Sequence, residues 1–588
     1  FFYDLINACY FLAFPSVALA LIPEKHLTKK AFHFSITGFF FLLTFVLLFT
    51  AVAEYFFWDE FNSRFNFIAI DYLVYTTEVI GNIRQSYPIE WIVIGLLLAA
   101  AGITFLSRPT HGEQVKSILS GGSKIKGVVL AMIVPLLSFI TLDSRLHYFS
   151  DNNFANELAG NGMYELFSAY RNNELNYEQF YPHLRNEEAL QVVHDALSPT
   201  HQFATSDHFS IERHISSTQP EKRLNVVLIS VESLSAEFLS LFGSTRNITP
   251  TLDSLTKHSL VFTNLYATGT RTVRGLEALS LSIPPTPGQS VIRRPNNEHL
   301  FSLATVFNRK GYESKFIYGG YGYFDNMNYF FENNGYTVVD RTALSASEID
   351  YENIWGVADE NLFTLALHEI DKTTQANKPV FTHIMTTSNH RPYTYPEGRI
   401  DIPSHTSRAG AVKYTDYAIG KFLKEASKKK WYSNTIFVIT ADHCASSAGK
   451  TELPIEKYKI PLLIFSSQLT EVKSENRLMS QIDIAPTLLG LLNFSYESKF
   501  FGFDIFKINP GEERAFISTY QSLGYIKQDS LVILSPKKEP IVLMLDNQYT
   551  RRASIPTKVD MFGITKEAIS WYQTASYEFK QGKLKQVE

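Results

Sequence analysis

VVLISVES (226–233) and IFVITADHC (436–444) are two apolar, largely β-branched runs that both stop at acidic or metal-binding side chains. Such runs predict buried strands. Comparable runs occur at 225–231, 260–266, 314–318, 380–385, 435–440 and 461–465. Most are separated by stretches long enough for a crossover helix, such as AVKYTDYAIGKFLKEASKK (411–429). Strands that alternate with helices predict an α/β domain with a mostly parallel central sheet flanked by helices.

The residues that end two of these strands predict a metal site. Glu232 follows strand 225–231, and Asp442 and His443 follow strand 435–440. In an open α/β sheet, ligands bind beyond the carboxyl ends of the strands, so parallel neighbours would bring these side chains together. Two carboxylates and one imidazole suit Mn²⁺ or Mg²⁺, and Zn²⁺ also fits. Each residue taken alone is more often a helix cap or a loop residue, so the prediction rests on their matching placement.

The segment YATGTRTVRGLEALSLSIPP (266–285) follows a strand and then turns apolar, as a helix would. A threonine hydroxyl at a helix N-terminus lies near backbone N–H groups that favour an anion, and a bound metal can make it a nucleophile. Arg271 and Arg274 could hold phosphate oxygens. The alternative is that these threonines only cap the helix.

A further candidate is His390 in the loop TTSNHRPYTYP (386–396). A histidine in a loop rich in Ser, Asn and Pro after a strand is free to bind substrate. The alternative is a loop histidine without a role.

Bulk composition excludes several classes of protein. The chain has 588 residues, which exceeds one ordinary domain, and 45% of them are hydrophobic, so it is not disordered. Its net charge of -4 lacks the excess of basic residues that is typical of nucleic-acid-binding proteins. The two cysteines, Cys9 and Cys444, lie far apart in the sequence, which argues against a disulfide and a cysteine-based metal site.

The first quarter of the chain predicts a multi-span α-helical membrane anchor. Four stretches without Asp, Glu, Lys or Arg have lengths that fit or approach a bilayer span: 5–23, 34–53, 91–107 and 127–142. The loops 24–33 and 108–126 are basic and 54–90 is acidic, so the positive-inside rule puts everything after 142 outside the inner membrane. Phe1 then begins on the outer side, and we expect one more span upstream.

These patterns predict four regions. They are an anchor (1–142), a juxtamembrane helical linker (143–222), an α/β catalytic domain (223–514), and a small C-terminal antiparallel subdomain with a terminal helix (515–588).

Eight motifs in this order resemble the lipoteichoic acid synthase and phosphoglycerol transferase family of the alkaline phosphatase/sulfatase superfamily. They are NVVLISVES, ITPTLDSL, LVFTNLYATGTRTVRGLEAL, TTSNHRPY, KYTDYAIGKFL, TIFVITADH, IPLLIF and QIDIAPTLLGLL. The resemblance implies a sulfatase-like transferase in a bacterial inner membrane, with its catalytic domain in the periplasm. It would move glycerol phosphate from phosphatidylglycerol to a glycan or glycerophosphate acceptor. The wording TRTVRGLEALSLSIPPTPG is similar to that of Gram-negative members.

The resemblance also implies roles by position. Glu232, Asp442 and His443 match the family's metal ligands, with Mn²⁺ preferred. Thr272 matches the nucleophilic threonine, which is also a metal ligand, and Thr270 is a competing register. His390 matches a histidine that contacts the phosphoglycerol group. Arg274 is expected to stabilise negative charge in the transition state.

The sequence departs from the family after its GG dipeptide. Members that build lipoteichoic acid carry a Trp and an Arg there, whereas this chain reads YGGYGYFDNMNYFF (318–331), which contains no Arg. The acceptor is therefore open. A phosphoethanolamine transferase and a phosphodiesterase of the same superfamily remain alternatives, as does a catalytically inactive sensor or lipid-transport protein. The formylglycine motif of true sulfatases does not occur in the sequence.

Overall fold

The computed structural model describes residues 2–27, 29–107, 122–142, 144–147, 149–150, 152–171, 175–197, 202–203, 210–446, 453–468, 473–536, 538–545, 552–553 and 561–586. The chain forms two compact units. The first comprises Phe1–Asn173, and the second comprises Glu174–Ser447 with Leu453–Glu588.

The first unit is helical. Its α-helices are Phe2–Leu21, Glu24–Leu27, Lys30–Phe61, Phe67–Val74, Thr76–Ser86, Ile89–Leu106, Gly122–Thr141, Asn153–Ala159 and Gly162–Arg171.

Two of these helices have the length and composition of membrane spans. Among the described residues, Lys30–Phe61 and Ile89–Leu106 are long and apolar enough to cross a bilayer, while the apolar helical stretches Phe2–Ala18 and Lys126–Thr141 are shorter. All four predicted spans are thus helical, but the length criterion supports two of them, and the other two stay predictions. Most of the basic loop used for orientation, 108–121, lies outside the described residues.

The predicted linker 143–222 is divided between the two units. In the first unit, the Arg64 backbone N–H donates to Glu157 Oε2 at 2.9 Å, and Arg64 Nε donates to the Glu157 carbonyl at 3.1 Å. In the second unit, Leu184 N–H donates to Gln573 Oε1, and Gln573 Nε2 donates back to the Leu184 carbonyl, both at 2.8 Å. The predicted boundaries at 142 and 222 stay predictions.

Strands are numbered in chain order. They are β1 Gln202–Phe203, β2 Arg213–Ile215, β3 Asn225–Val231, β4 Leu260–Tyr266, β5 Glu313–Tyr318, β6 Thr337–Val339, β7 Glu352–Asn353, β8 Gly356–Val357, β9 Val380–Met385, β10 Thr435–Ala441, β11 Lys459–Phe465, β12 Lys473–Glu475, β13 Met479–Ser480, β14 Tyr496–Ser498, β15 Arg514–Ser518, β16 Leu523–Lys527, β17 Ser530–Leu534, β18 Ile541–Leu545 and β19 Arg552–Ala553.

The second unit is built on a nine-stranded sheet. Its order is β12-β4-β11-β10-β3-β9-β5-β6, with β13 also paired to β4. The pairings are parallel except those of β11, which runs antiparallel to both β10 and β4. All six predicted strands are present and the mostly parallel sheet is confirmed. Every residue of β3, β9 and β10 is buried, as expected for central strands covered on both faces.

Helices accompany these strands. The α-helices of this unit are Tyr177–Phe180, Asn186–Leu197, Pro250–Leu255, Thr272–Leu281, Leu303–Arg309, Met327–Glu332, Asp359–Gln375, Arg408–Ala426, Ile484–Leu491 and Met561–Lys580.

The predicted C-terminal antiparallel strands and terminal helix are present, but they do not form a separate unit. Strands β15 to β19 form a five-stranded antiparallel sheet. Arg514 at the start of β15 makes a buried ion pair with Asp483 at 2.8 Å. Tyr266, the last residue of β4, and Tyr458, which precedes β11, share an apolar cluster with Ile517. This continuous packing explains why the C-terminal region belongs to the same compact unit as the central sheet.

A buried histidine in the central sheet predicts loss of stability in acid. His383 on β9 packs edge-on against Phe316 and Phe331, and its Nε2 lies 2.6 Å from Ser230 Oγ. Burial lowers the pKa of His383 to about 3. An unfolded chain, with a histidine pKa near ~6.5, therefore binds the proton first, so the free energy of unfolding falls as pH drops from about 6.5 towards 3. Between pH 6.5 and 5, we expect the wild type to lose about 2 kcal/mol more than His383→Gln. Calorimetric unfolding at several pH values measures this difference, and parallel profiles for the two proteins would contradict it.

Candidate active site

The site begins where two central strands end together. β3 and β10 pair in parallel, with Val231 opposite Ala441 as their last residues. Glu232 and Asp442 therefore leave the sheet at the same edge. Ligand atoms of Glu232, Asp442 and His443 all lie within 4.8 Å of one another, and all three residues are buried.

The hydrogen bonds of this cluster leave suitable atoms for a cation. His443 Nδ1 donates to the Cys444 carbonyl at 2.7 Å, because a carbonyl can only accept. Its Nε2 is then the nitrogen that faces Glu232 Oε1 and Asp442 Oδ2, each at 3.5 Å. Asp442 Oδ1 accepts from the backbone N–H groups of Ser233 and His443. The buried Asp442 Oδ2 accepts no hydrogen bond from the described residues. A carboxylate oxygen in this state, beside a second carboxylate and an imidazole nitrogen, fits a divalent metal ion.

Burial and the neighbouring charges shift the pKa values of Glu232, Asp442 and His443. Burial opposes ionisation of Glu232, but His390 and His443 outweigh it and hold the pKa of Glu232 below its usual value. Burial, followed by the charge of Glu232, raises the pKa of Asp442. Burial also opposes protonation of His443, yet the two carboxylates raise its pKa to about 9. A positive charge is thus favoured between the carboxylates, as a proton or as a metal ion.

Thr272 brings a hydroxyl to the cluster. It is the first residue of the helix Thr272–Leu281, and its Oγ1 donates to Glu232 Oε2 at 3.0 Å. Thr270 makes no such hydrogen bond in the part of the chain that the structure describes. Backbone N–H groups at this helix end favour an anion beside the Thr272 hydroxyl.

His390 lies at the exposed side of the site. Its Nε2 is 3.3 Å from Glu232 Oε2, and its side chain is 29% exposed whereas that of Glu232 is 1% exposed. The imidazole stacks on the indole of Trp355, with ring centroids 4.5 Å apart. Trp355 Nε1 donates to the Arg391 carbonyl at 2.6 Å, which ties the indole to the His390 loop.

Trp355 was not predicted as a site residue. Its backbone packs against the dipeptide Gly319–Gly320, since a Cβ on Gly356, which has φ +139, would overlap the Gly319 carbonyl, and one on Gly320 would approach the Trp355 carbonyl. The paired GG and WG dipeptides were the available signal, because close backbone approach requires glycine.

Arg274 does not join the cluster. Its Nη1 donates to Glu277 at 2.9 Å, and its Nη2 donates to the carbonyls of Thr286 at 2.6 Å and Gly288 at 2.5 Å. These terminal nitrogens donate to protein acceptors in a buried position and hold the segment 286–288, while the substrate role of Arg274 stays a prediction.

Comparison with known proteins agrees with this fold. The family model described as Sulfatase matches residues 224–494. A crystal structure of a protein in the alkaline phosphatase superfamily from Vibrio parahaemolyticus is 33% identical and superposes with a TM-score of 0.65, covering 70% of this chain and 100% of that one.

The chain belongs to the alkaline phosphatase superfamily.

Within the superfamily, the chain is similar to lipoteichoic acid synthases. Lipoteichoic acid synthase 2 of Bacillus subtilis is 25% identical over 296 residues, which are 46% of this chain and 44% of that protein. The lipoteichoic acid synthase LtaP from Listeria monocytogenes shares the fold, with a TM-score of 0.52 at 17% identity over 67% of this chain and 97% of that one. The chain spans about half the length of the curated relatives it matches.

Two residues that were not predicted as site residues hold the segments around the Glu232, Asp442 and His443 cluster in position. Gln481 Nε2 donates to the carbonyls of Ala441 and Asp442 at 3.0 and 2.8 Å, and its Oε1 accepts from Thr268 N–H and Oγ1 at 3.1 and 3.2 Å. One buried side chain thereby joins the end of β10 to the loop before Thr272. Asn389 Nδ2 donates to the Glu232 carbonyl at 2.8 Å and fixes the other edge.

Gly275 lets the Thr272 helix reach the metal-ligand loop. An added Cβ at Gly275 would overlap the Asp442 carbonyl. The obstacle is backbone and not a flexible side chain, so the helix or the loop would have to move.

Gly275→Ala should therefore weaken divalent-metal binding. We expect a loss of about tenfold or more in affinity, because a displacement of ligands by several tenths of an ångström disrupts a fixed site. The matched control is Gly563→Ala, also in a helix but with open space around the new Cβ. Calorimetric titration with Mn²⁺ checks both variants. Wild-type affinity in Gly275→Ala would contradict the close approach.

Arg274→Met should destabilise the fold. Removal of the guanidinium leaves Glu277 buried without this partner, and breaking a buried ion pair costs about 3 kcal/mol or more. Chemical unfolding measures the change. An unchanged free energy of unfolding together with a raised KM for donor would instead restore the predicted substrate role.

Proposed function

We propose that the chain is a membrane-anchored, metal-dependent phosphoglycerol transferase. It moves glycerol phosphate from phosphatidylglycerol to a hydroxyl of a glycan or other acceptor in the periplasm. The observation that carries the proposal is the Thr272 hydroxyl, hydrogen-bonded to Glu232 beside the buried Asp442 and His443. Kinship with lipoteichoic acid synthases supports it.

In this proposal, Glu232, Asp442, His443 and Thr272 Oγ1 hold one divalent ion. The carboxylate-rich donor set favours Mn²⁺, and Mg²⁺ and Zn²⁺ also fit. When bound, the ion would lower the pKa of the threonine hydroxyl and offset negative charge on the phosphoryl oxygens.

The reaction has two displacements at phosphorus. Thr272 Oγ attacks the donor phosphorus, the bond from phosphorus to the diacylglycerol oxygen breaks, and diacylglycerol leaves carrying the proton. The product is a phosphoglycerol ester of Thr272. The acceptor hydroxyl oxygen then attacks the same phosphorus, the bond to Thr272 breaks, and the threonine oxygen regains a proton.

We assign the proton transfers to His390. Both nitrogens of His443 are engaged, Nδ1 by the Cys444 carbonyl and Nε2 by the cluster. His390 is partly exposed and lies beside the same Glu232 oxygen that accepts from Thr272, so it can exchange protons with an incoming hydroxyl.

The two candidate spans support a membrane anchor, which would keep the enzyme in the bilayer that contains its lipid donor. From the loop charges, we place the anchor as multi-pass in a bacterial inner membrane, with the catalytic unit on its outer side.

The decisive variants are Thr272→Ala and Thr270→Ala. Release of diacylglycerol from fluorescent phosphatidylglycerol, by full-length protein in detergent with Mn²⁺, should fall by about a thousandfold or more in Thr272→Ala. Thr270→Ala is the matched control and should retain turnover. The reverse pattern would move the nucleophile to Thr270.

The donor panel separates the alternatives. Release from phosphatidylethanolamine in place of phosphatidylglycerol would indicate a phosphoethanolamine transferase. A wild type that neither releases diacylglycerol nor binds a divalent metal would favour an inactive sensor or transport protein.

A further inference from the structure

The loop 319–326 presents tyrosines to solvent beside the site. Among the described residues of the second unit, six large apolar side chains are exposed, and three of them are Tyr321, Tyr323 and Tyr329. The rings of Tyr321 and Tyr323 lie 5.9 Å apart with planes tilted by 32°. Clustering of exposed aromatic side chains in one short segment marks a contact surface rather than random exposure.

Phe324, which follows Tyr323 in the sequence, connects this loop to His390. Phe324 contacts Trp355 with ring centroids 5.5 Å apart, and Trp355 stacks on His390 at 4.5 Å. The loop that carries Tyr321 and Tyr323 is thus joined through Phe324 and Trp355 to the histidine that we assign to the acceptor hydroxyl.

The loop is held in place by its neighbours. Gly322 N–H donates to Asp340 Oδ2 at 2.7 Å, and Asn328 N–H donates to the Gly322 carbonyl at 2.7 Å. The Arg341 guanidinium lies over the Tyr321 ring at 5.8 Å. The tyrosine faces are therefore preorganised, which reduces the entropy lost when a ligand binds.

The charges around the loop select among acceptors. Segment 319–353 carries six acidic residues and one basic residue: Asp325, Glu332, Asp340, Glu348, Asp350 and Glu352 against Arg341. From outside the segment, Arg293 lies 3.7 Å from the buried Asp325 and offsets its charge. Arg341 is itself paired with Glu352 at 2.6 Å. A polyanionic acceptor such as a glycerol phosphate chain would be repelled here.

We propose that Tyr321 and Tyr323 form a binding site for a neutral oligosaccharide, which supplies the acceptor hydroxyl. A pyranose ring offers an apolar C–H face to stack on a phenol ring, and its hydroxyls pair with phenol and carboxylate oxygens. A lipid acyl chain would gain nothing from the surrounding carboxylates. This inference rests on the proposed function for the use of the bound sugar, but binding can be measured without turnover.

The test is calorimetric titration of the full chain, in a zwitterionic detergent without sugar groups, with maltohexaose and with cellohexaose. We expect saturable binding of at least one of them. Tyr321→Ala combined with Tyr323→Ala should weaken it by about tenfold or more, because both stacking rings are lost. The corresponding pair of Tyr→Phe substitutions should retain most of the affinity, since it keeps the rings.

Phe506→Ala removes another exposed aromatic ring, which packs on Phe262 of β4 rather than near Trp355, and should bind like the wild type. Binding of neither hexasaccharide, equal binding by the double Ala variant, or tyrosine-dependent binding of polyglycerol phosphate instead would each overturn the inference. Mn²⁺ titration of the double Ala variant verifies that its centre is folded.

The two proposals fail separately. A wild type that releases diacylglycerol but binds no hexasaccharide overturns the sugar site and leaves the transferase intact. A wild type that binds hexasaccharide through these tyrosines but turns over no phospholipid overturns the transferase alone.

Discussion

Two carboxylates and an imidazole, buried within 4.8 Å of one another at one edge of the sheet, set the requirements for the rest of the catalytic unit. Glu232 and Asp442 repel each other in a medium that screens weakly, and neither can relax into water. Burial and the charge of Glu232 raise the pKa of Asp442, whereas His390 and His443 hold the pKa of Glu232 below its usual value. Only a positive charge between them removes the conflict, which is why the cluster is suited to a metal ion.

Backbone and amide groups hold this repulsive arrangement together. Ser233 N–H donates a hydrogen bond to Asp442 Oδ1 at 2.8 Å, and Thr386 Oγ1 accepts one from Glu232 N–H at 2.9 Å. Gln481 is hydrogen-bonded both to the Asp442 carbonyl after β10 and to Thr268 in the loop before Thr272. The segments that carry Asp442 and Thr272 are therefore held together. Neutral dipoles suit this task because they fix ligand positions without adding another buried charge. The absence of a side chain at Gly275 completes the arrangement by letting the helix that begins at Thr272 contact the Asp442 backbone.

The parts of this site that the sequence could predict are those set by local pattern. Apolar runs located the strands, and the residues just past two of them gave Glu232, Asp442 and His443, because parallel neighbours end at a common edge. Thr272 and Thr270 could not be separated by pattern alone, since they lie two residues apart in the same turn. The substrate role of Arg274 stays a prediction, and its ion pair with Glu277, one helical turn later, was visible in the sequence spacing. Gln481 and Trp355 depend on packing between segments distant in sequence, which no local periodicity reports.

The division between centre and loops explains how one fold can serve different acceptors. In the proposed reaction, the carboxylates and Thr272 act on the phosphorus whatever the second substrate is, and water would serve as well as a sugar. What discriminates is therefore the surface that brings a hydroxyl to His390. In this chain that surface includes the segment that departs from the lipoteichoic acid synthase pattern, and its ring contact runs from Phe324 to Trp355 and on to His390. Because Trp355 stands between this loop and His390, the loop can change its ligand while the buried charges keep their positions.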